Sequence, residues 1–95
     1  MSLEKVIERE VCRIAKQSGW LSHKVGTSGF PDRVFIRDGI HVWIEFKQPG
    51  GRLSTLQKAI IKEMQDHGAY AFVCRSKDEA LTVLNEVCSQ ETEDG

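Results

Sequence analysis

The sequence predicts an α/β fold in which a mixed sheet is flanked by helices, with the elements in the order α-β-β-β-α-β-α. Three observations support this prediction. Asp38-Gly39 separates two β-branched and aromatic runs and is typical of a type I′ hairpin, which needs positive φ at both turn residues. Helix-period apolar stripes precede and follow the hairpin. The stripe after the hairpin lies between two strand-like runs, which predicts a β-α-β unit with a parallel strand pair.

The first helix is predicted over residues 2–18, with Ser2 as its N-cap and Gly19 beyond its C-terminal end. Apolar residues recur along it at helical spacings. The predicted buried stripe consists of Leu3, Val6, Ile7, Val11, Ile14 and Ala15. Glu8 lies at the edge of this stripe. Spacing alone favours a solvated glutamate there over one that reaches into a neighbouring site.

A short strand is predicted over residues 20–25, followed by a flexible turn at residues 26–29. Lys24 faces either a phosphate or the solvent. The Ser28 hydroxyl and the backbone amides of the turn could contact a phosphate, or the glycines could only permit the bend.

The hairpin itself predicts a cluster of ionisable groups. If Asp38 and Gly39 are the two loop residues, Asp32 is directly opposite Glu45, with Cβ atoms about 5 Å apart on one face. Lys47 shares that face, because side chains alternate along a strand. Opposed carboxylates repel each other unless a cation neutralises them, and Mg²⁺ prefers such ligands. A structural cluster that merely pairs is the alternative. The register and the lysine favour a site for phosphate chemistry.

The second helix is predicted to start at Ser54 and to end at His67-Gly68. Ser54 and Gln57 form a capping box, which is a sufficient structural reason for both residues. Arg52, in the preceding loop, either clamps a phosphate or lies free. Lys58 and Lys62 form a basic helix edge that is either solvated or in contact with DNA. A strand over residues 69–75 and a helix from Ser76 to about Cys88 complete the prediction.

Ninety-five residues suit one small domain, expected over residues 1–89, with residues 90–95 as a disordered acidic tail. We find neither a membrane span nor a secretory signal in the sequence. The three cysteines form no C-x-x-C pair and are expected to be reduced thiols of a cytoplasmic protein. Residues 1–76 hold 12 bases and eight acids, which is compatible with DNA binding but does not by itself indicate it.

Several motifs occur together in a fixed order: Gly29-Phe30-Pro31-Asp32-Arg33, Glu45-Phe46-Lys47, Gly50-Gly51-Arg52-Leu53-Ser54 and Gln57. In this order they resemble the VRR-NUC domain of the PD-(D/E)XK nuclease superfamily, in the small stand-alone form typical of phages and prophages. The resemblance covers residues from about Leu3 to about Asp78. It implies the restriction-endonuclease-like fold, of which α-β-β-β-α-β-α is a minimal form.

The resemblance also implies a DNA endonuclease that depends on Mg²⁺ or Mn²⁺. Asp32, Glu45 and the backbone carbonyl of Phe46 would hold the metal. Lys47 would position the attacking water and stabilise charge on the phosphate.

Two further residues gain a role by resemblance. Glu8 is similar to the first-helix glutamate of archaeal junction resolvases and would complete the site through metal-bound water, with Glu4 as the competing residue. Gln57 would touch the metal-bound water or the DNA, unless it acts only as a helix cap.

Junction-cleaving members of these families imply a homodimer that resolves four-way (Holliday) junctions in the cytoplasm of a bacterial host. One chain carries one predicted site and no helix-turn-helix or zinc finger, so recognition is expected to rest on DNA shape and phosphates. Lys24, Ser28, Arg52 and Lys58 are the candidate DNA contacts. Two alternatives remain open: a nuclease acting on flaps, nicks or mismatches, and a non-catalytic DNA-binding module on the same fold.

Overall fold

A computed structural model of the chain describes residues 1–93, and the side chains of residues 1–91, and it confirms the predicted order of elements. The elements are α1 (Leu3–Gln17), β1 (Leu21–Lys24), β2 (Arg33–Arg37), β3 (Ile40–Phe46), α2 (Thr55–Asp66), β4 (Tyr70–Cys74) and α3 (Lys77–Glu93). The strand order in the sheet is β1-β2-β3-β4. Strands β1, β2 and β3 are antiparallel, whereas β4 is parallel to β3 as the β-α-β unit requires.

The hairpin has the predicted register. Asp38 and Gly39 both have positive φ, at 52° and 79°, as a type I′ turn requires. Arg33 is paired with Ile44, which fixes the side chains of β2 and β3 to alternate faces. One face forms the main core with α1 and α3. Its central members are Phe35, Val42, Ile44, Phe46, Val11 and Leu84.

Helix α1 buries a narrower stripe than the sequence predicts. Ser2 caps it, since its hydroxyl accepts from the Lys5 amide, and Gly19 lies beyond its end with φ +89°. Ile7, Val11 and Ala15 are buried along one line. Leu3 and Val6, predicted to be buried, are 50% and 43% exposed. The prediction is wrong for these two because neither the sheet nor α3 covers the first turn of the helix.

Helix α3 is longer than predicted. It continues past Cys88, where the sequence predicted its end, to Glu93, whereas the predicted disorder of the acidic tail stays a prediction. The Tyr70 hydroxyl donates a hydrogen bond to Glu91, which ties the last turns of the helix to β4. The rest of the predicted tail, residues 94 and 95, lies outside the described residues.

Two further expectations can be compared with the structure. Among the described residues, Cys12, Cys74 and Cys88 are not joined to one another by disulfides. Within residues 1–93, no helix is long and apolar enough to cross a membrane.

Candidate active site

Asp32 and Glu45 meet at the end of the sheet where β2 begins and β3 ends. Asp32 Oδ2 accepts a hydrogen bond from the Phe46 amide (2.9 Å), and the Asp32 carbonyl accepts from the Val25 amide (2.8 Å). The first contact ties Asp32 to the end of β3, and the second extends the pairing of β1 with β2. The β2–β3 register, in which Arg33 is opposite Ile44, places Asp32 across from Glu45 as predicted. The side chain of Asp32 is thereby fixed beside the main chain of β3.

Glu45 is a buried carboxylate with one oxygen unused. It is 3% exposed, on the face of the sheet opposite the main core. Its Oε2 accepts from Gln57 Nε2 (3.2 Å) and lies 3.7 Å from Lys47 Nζ. Its Oε1 has no hydrogen-bond partner among the described residues. A buried oxygen of this kind costs free energy unless a ligand, a water or a metal satisfies it.

The protonation of Glu45 reflects this environment. Burial, and then the negative charge of Asp32, raise the pKa of Glu45 to about 7. Lys47 and the nearby backbone amide of Asp32 offset part of the rise, and the charge of Glu4 adds to it. Burial and the second acid thus make Glu45 difficult to ionise, and the nearby Lys47 offsets only part of this effect.

Gln57 forms the predicted capping box and also contacts Glu45, whereas its role toward metal-bound water or DNA stays a prediction. Its Oε1 accepts from the Ser54 amide (2.9 Å), and its own amide donates to the Ser54 hydroxyl (3.1 Å), which completes the capping box. Its Nε2 donates to Glu45 at the same time. The two ends of one side-chain amide therefore join the start of α2 to the carboxylate.

The donor set fits a hard divalent cation. Among residues 1–93, no group of three or more His, Cys, Asp and Glu side chains is arranged to hold a metal. The predicted site has two carboxylates and a main-chain carbonyl, that of Phe46. Mg²⁺ is commonly held by one or two carboxylates together with waters and phosphate oxygens. The unused Oε1 of Glu45 next to Asp32 agrees with such a ligand.

Glu8 is not a solvated glutamate. It is 8% exposed and accepts from Lys24 Nζ (3.0 and 3.3 Å) and Arg33 Nε (2.6 Å). Burial opposes ionisation, but the hydrogen bonds from Arg33 and Lys24 outweigh it and lower the pKa of Glu8. Arg33 was not singled out in the sequence. Its position opposite Lys24 becomes visible only when β1 is paired with β2.

The two candidate acids of α1, Glu8 and Glu4, differ in their surroundings. Both oxygens of Glu8 accept hydrogen bonds from cations on the side of the sheet that packs against α1. The charge of Glu4, by contrast, makes the smallest contribution to the raised pKa of Glu45. The catalytic role predicted for Glu8 and the competing role of Glu4 both stay predictions.

The remaining candidate DNA contacts are on the surface. Ser28, Arg52 and Lys58 are exposed, and none of them forms an ion pair within the described part of the chain. Lys24 instead contacts Glu8, although its side chain is still 48% exposed. The loop before α2 is held by Arg75, which the sequence did not indicate and which donates to the Gly51 carbonyl (2.8 Å).

Gly29 is needed where α2 approaches the site. Its φ is +83°, and a Cβ there would lie 2.5 Å from Ile60 Cδ1 and 2.7 Å from Leu56 Cγ. The backbone conformation and the close approach of α2 are therefore a sufficient reason for a glycine at this position. It allows the chain before Asp32 to pass close beneath the helix that carries Gln57.

Comparison with known proteins agrees with this geometry. The family model of the VRR-NUC domain matches residues 3–78. One similar solved structure, described as a VRR_NUC domain, has a TM-score of 0.79 and 20% identity, and the match covers 90% of this chain and 97% of that one. Another, a VRR_NUC domain protein, has a TM-score of 0.73 and 19% identity, with 86% and 84% covered. A search of the curated proteins found no match.

Proposed function

The chain belongs to the VRR-NUC domain family and is thus a nuclease-type DNA-processing domain, and we propose that it is a metal-dependent endonuclease that cuts branched DNA as a homodimer. Four-way junctions are its proposed substrate, and Mg²⁺ or Mn²⁺ its proposed metal. The observation that carries the proposal is Glu45 Oε1, a buried carboxylate oxygen without a partner, beside a second acid.

Asp32, Glu45 and the Phe46 carbonyl would hold the metal. A bound divalent cation supplies a Lewis acid for the scissile phosphate and lowers the pKa of a nearby water. Gln57 occupies Oε2 of Glu45 and so leaves Oε1 as the oxygen directed to a ligand. Asp32 cannot turn away, because the Phe46 amide holds its Oδ2.

Lys47 is the proposed cation at the reacting phosphate. Its side chain is only 16% exposed, and its ammonium group lies 3.7 Å from Glu45. In that position it would orient the attacking water and stabilise the charge that develops on the phosphate oxygens. Glu4, the competitor of Glu8 for the role of first-helix acid, would hold water at the edge of the same site, because both oxygens of Glu8 already accept from Lys24 and Arg33.

The proposed junction substrate and the proposed dimer rest on the single pair of carboxylates that this domain provides. One domain provides one pair of carboxylates, whereas resolving a junction requires cuts in two strands. A two-fold dimer supplies two sites in a fixed relation. Leu3 and Val6, close together and exposed on α1, offer apolar surface for a second copy to cover.

A cleavage assay tests this proposal. Labelled four-way junction, flap and plain duplex would be incubated with Mg²⁺, Mn²⁺ or EDTA, using the parent protein, Glu45→Gln and the exposed-acid control Glu86→Gln. Paired cuts in the junction, lost with EDTA and in Glu45→Gln but kept in Glu86→Gln, are expected. Cuts in flaps alone would refute the resolvase and keep the metal site. DNA binding without any metal-dependent cut would favour the non-catalytic module.

Metal binding has its own readout. Mg²⁺ at five times its dissociation constant should stabilise the parent protein by about 1 kcal/mol against unfolding. Glu45→Gln should show no such gain, and Glu86→Gln should show all of it. An equal gain in the parent and in Glu45→Gln would place the cation elsewhere.

A further inference from the structure

A basic groove runs between α1 and β1 on the side of the sheet away from Glu45. It consists of two adjoining pockets of about 390 and 430 Å³ that share Arg9 and Cys12. Lys5, Glu8, Lys24 and Arg33 complete the first pocket. Arg13, Lys16, Trp20, Leu21 and Ser22 complete the second. We refer to these residues together as the α1–β1 groove.

The charge of the α1–β1 groove is opposite to that of the chain as a whole. Six cations line it: Lys5, Arg9, Arg13, Lys16, Lys24 and Arg33. Two acids compensate part of this charge, Glu8 within the groove and Glu10 through its ion pair with Arg13 (3.0 Å). An excess of four positive charges remains, in a chain whose net charge is −1. A concave surface with such an excess attracts a polyanion.

The cations are spaced along the groove. Lys5, Arg9, Arg13 and Lys16 recur on one face of α1 at intervals of three or four residues. From Lys5 to Lys16 the helix rises by about 16 Å, at 1.5 Å per residue. This length matches about five successive phosphates of one strand of B-form DNA, at 3.4 Å per phosphate along the axis.

Glu8 fixes the end of the groove nearest the carboxylates. It is buried, and it holds Lys24 and Arg33 together through its two oxygens. Arg33 directly follows Asp32 in the chain, and Lys24 is paired with Arg33 across the strands. The groove therefore begins at the end of the sheet that carries the candidate active site and runs away from it.

We propose that the α1–β1 groove binds the phosphate backbone of the DNA arm that leads away from the scissile phosphate. Glu8 acts in it as a positioning residue that keeps two cations in place. The choice of DNA as the ligand rests on the proposed function. The groove itself is identified by its charge, its length and its position relative to Asp32.

The salt dependence of DNA binding tests this proposal. The logarithm of the DNA association constant decreases linearly with the logarithm of the salt concentration. The magnitude of this slope is smaller by about 0.9 for each duplex phosphate that the protein no longer neutralises. Binding of a labelled duplex would be measured at several salt concentrations in EDTA, with Glu45→Gln as the background to prevent cutting. Arg9→Gln and Lys16→Gln, alone and together, would be compared with Lys77→Gln, which removes an exposed cation from α3 in the same way.

Arg9→Gln and Lys16→Gln should each reduce the slope by about 0.9, and the double variant by about 1.8. Lys77→Gln should leave the slope unchanged. Slopes equal to that of the background in all variants, or an equal reduction in Lys77→Gln, would overturn the proposal. Because the assay contains no metal and no cleavage, its outcome is independent of whether the carboxylates form a nuclease site.

Discussion

Replacing Glu45 by glutamine should make the protein more stable at high pH and leave its stability at low pH nearly unchanged. The ordinary pKa of a glutamate is 4.5, and burial together with the charge of Asp32 raises that of Glu45 to about 7. The folded protein therefore holds the Glu45 proton more tightly than the unfolded chain does. The contribution of the Glu45 carboxyl to the stability of the folded state is largest below pH 4.5, and it is lost as the pH rises toward 7.

The size of this effect follows from the same two values. At about 1.4 kcal/mol per pH unit, a rise from 4.5 to about 7 corresponds to roughly 3 kcal/mol of stability lost between these pH values. Glu45 is almost fully buried, so solvent screens little of this energy. Glutamine has the shape of the neutral acid and cannot ionise. The difference between Glu45→Gln and the parent should thus be near zero at pH 4, about 1 kcal/mol at pH 5 and on the order of 3 kcal/mol at pH 8.

Urea unfolding without divalent metal at pH 5, 6, 7 and 8 would measure this difference. Glu86→Gln, an exposed acid on α3, is the control and should follow the parent at each pH. All other ionisable groups are common to the compared proteins, so their contributions cancel. A difference that does not change between pH 5 and pH 8 would refute the reasoning, because Glu45 would then ionise as readily in the folded protein as in the unfolded chain.

Three other sets of substitutions separate structural from chemical roles. Ser54→Ala removes only the helix cap, so it should lower the free energy of unfolding by about 1 kcal/mol and leave the cleavage rate unchanged. Gln57→Ala should lower the free energy of unfolding by a similar amount and should also slow cleavage. Urea unfolding and single-turnover rates would measure both effects, and equal cleavage rates in the two variants would contradict the role of Gln57 at Glu45. Gly29→Ala should destabilise by more than 1 kcal/mol because of its clash with α2 and its positive φ, whereas Gly26→Ala, which meets no atom within 4 Å, should stay close to the parent in thermal unfolding. Glu4→Gln should lower the cleavage rate and leave the stability of the protein unchanged. Glu8→Gln should lower the stability, because it leaves Lys24 and Arg33 without the acid that they share. The reverse pattern would assign the catalytic acid to Glu8.

The hairpin shows how much of the site a sequence can predict. Asp38-Gly39 specifies its own turn through the φ values that each residue tolerates, and a two-residue loop leaves one register. Asp32, Glu45 and Lys47 then share a face because side chains alternate along a strand. No distant contact is needed for any of these steps, and the structure confirms the register and the pairing of Lys47 with Glu45.

Contacts between distant elements were not predictable in the same way. The ion pairs of Glu8 join α1 to residues 16 and 25 positions away, across a helix–sheet contact. The prediction that Leu3 and Val6 are buried was wrong for a related reason. A stripe of apolar residues on a helix shows which side chains could be buried, but it does not show how far the sheet extends beneath the helix. The hydrogen bond between Tyr70 and Glu91, which joins α3 to β4, likewise connects residues 21 positions apart.

The sequence alone determined the order of the elements, the hairpin register and the three residues that share its polar face, because turn chemistry and side-chain period act over a few residues. Only the tertiary structure decided that Gln57 reaches Glu45, that Glu45 keeps one oxygen unused, and that Glu8 gathers Lys24 and Arg33 at one end of a basic groove. Each of these depends on how closely helices and sheet approach one another. That approach is set by the packing of the whole core.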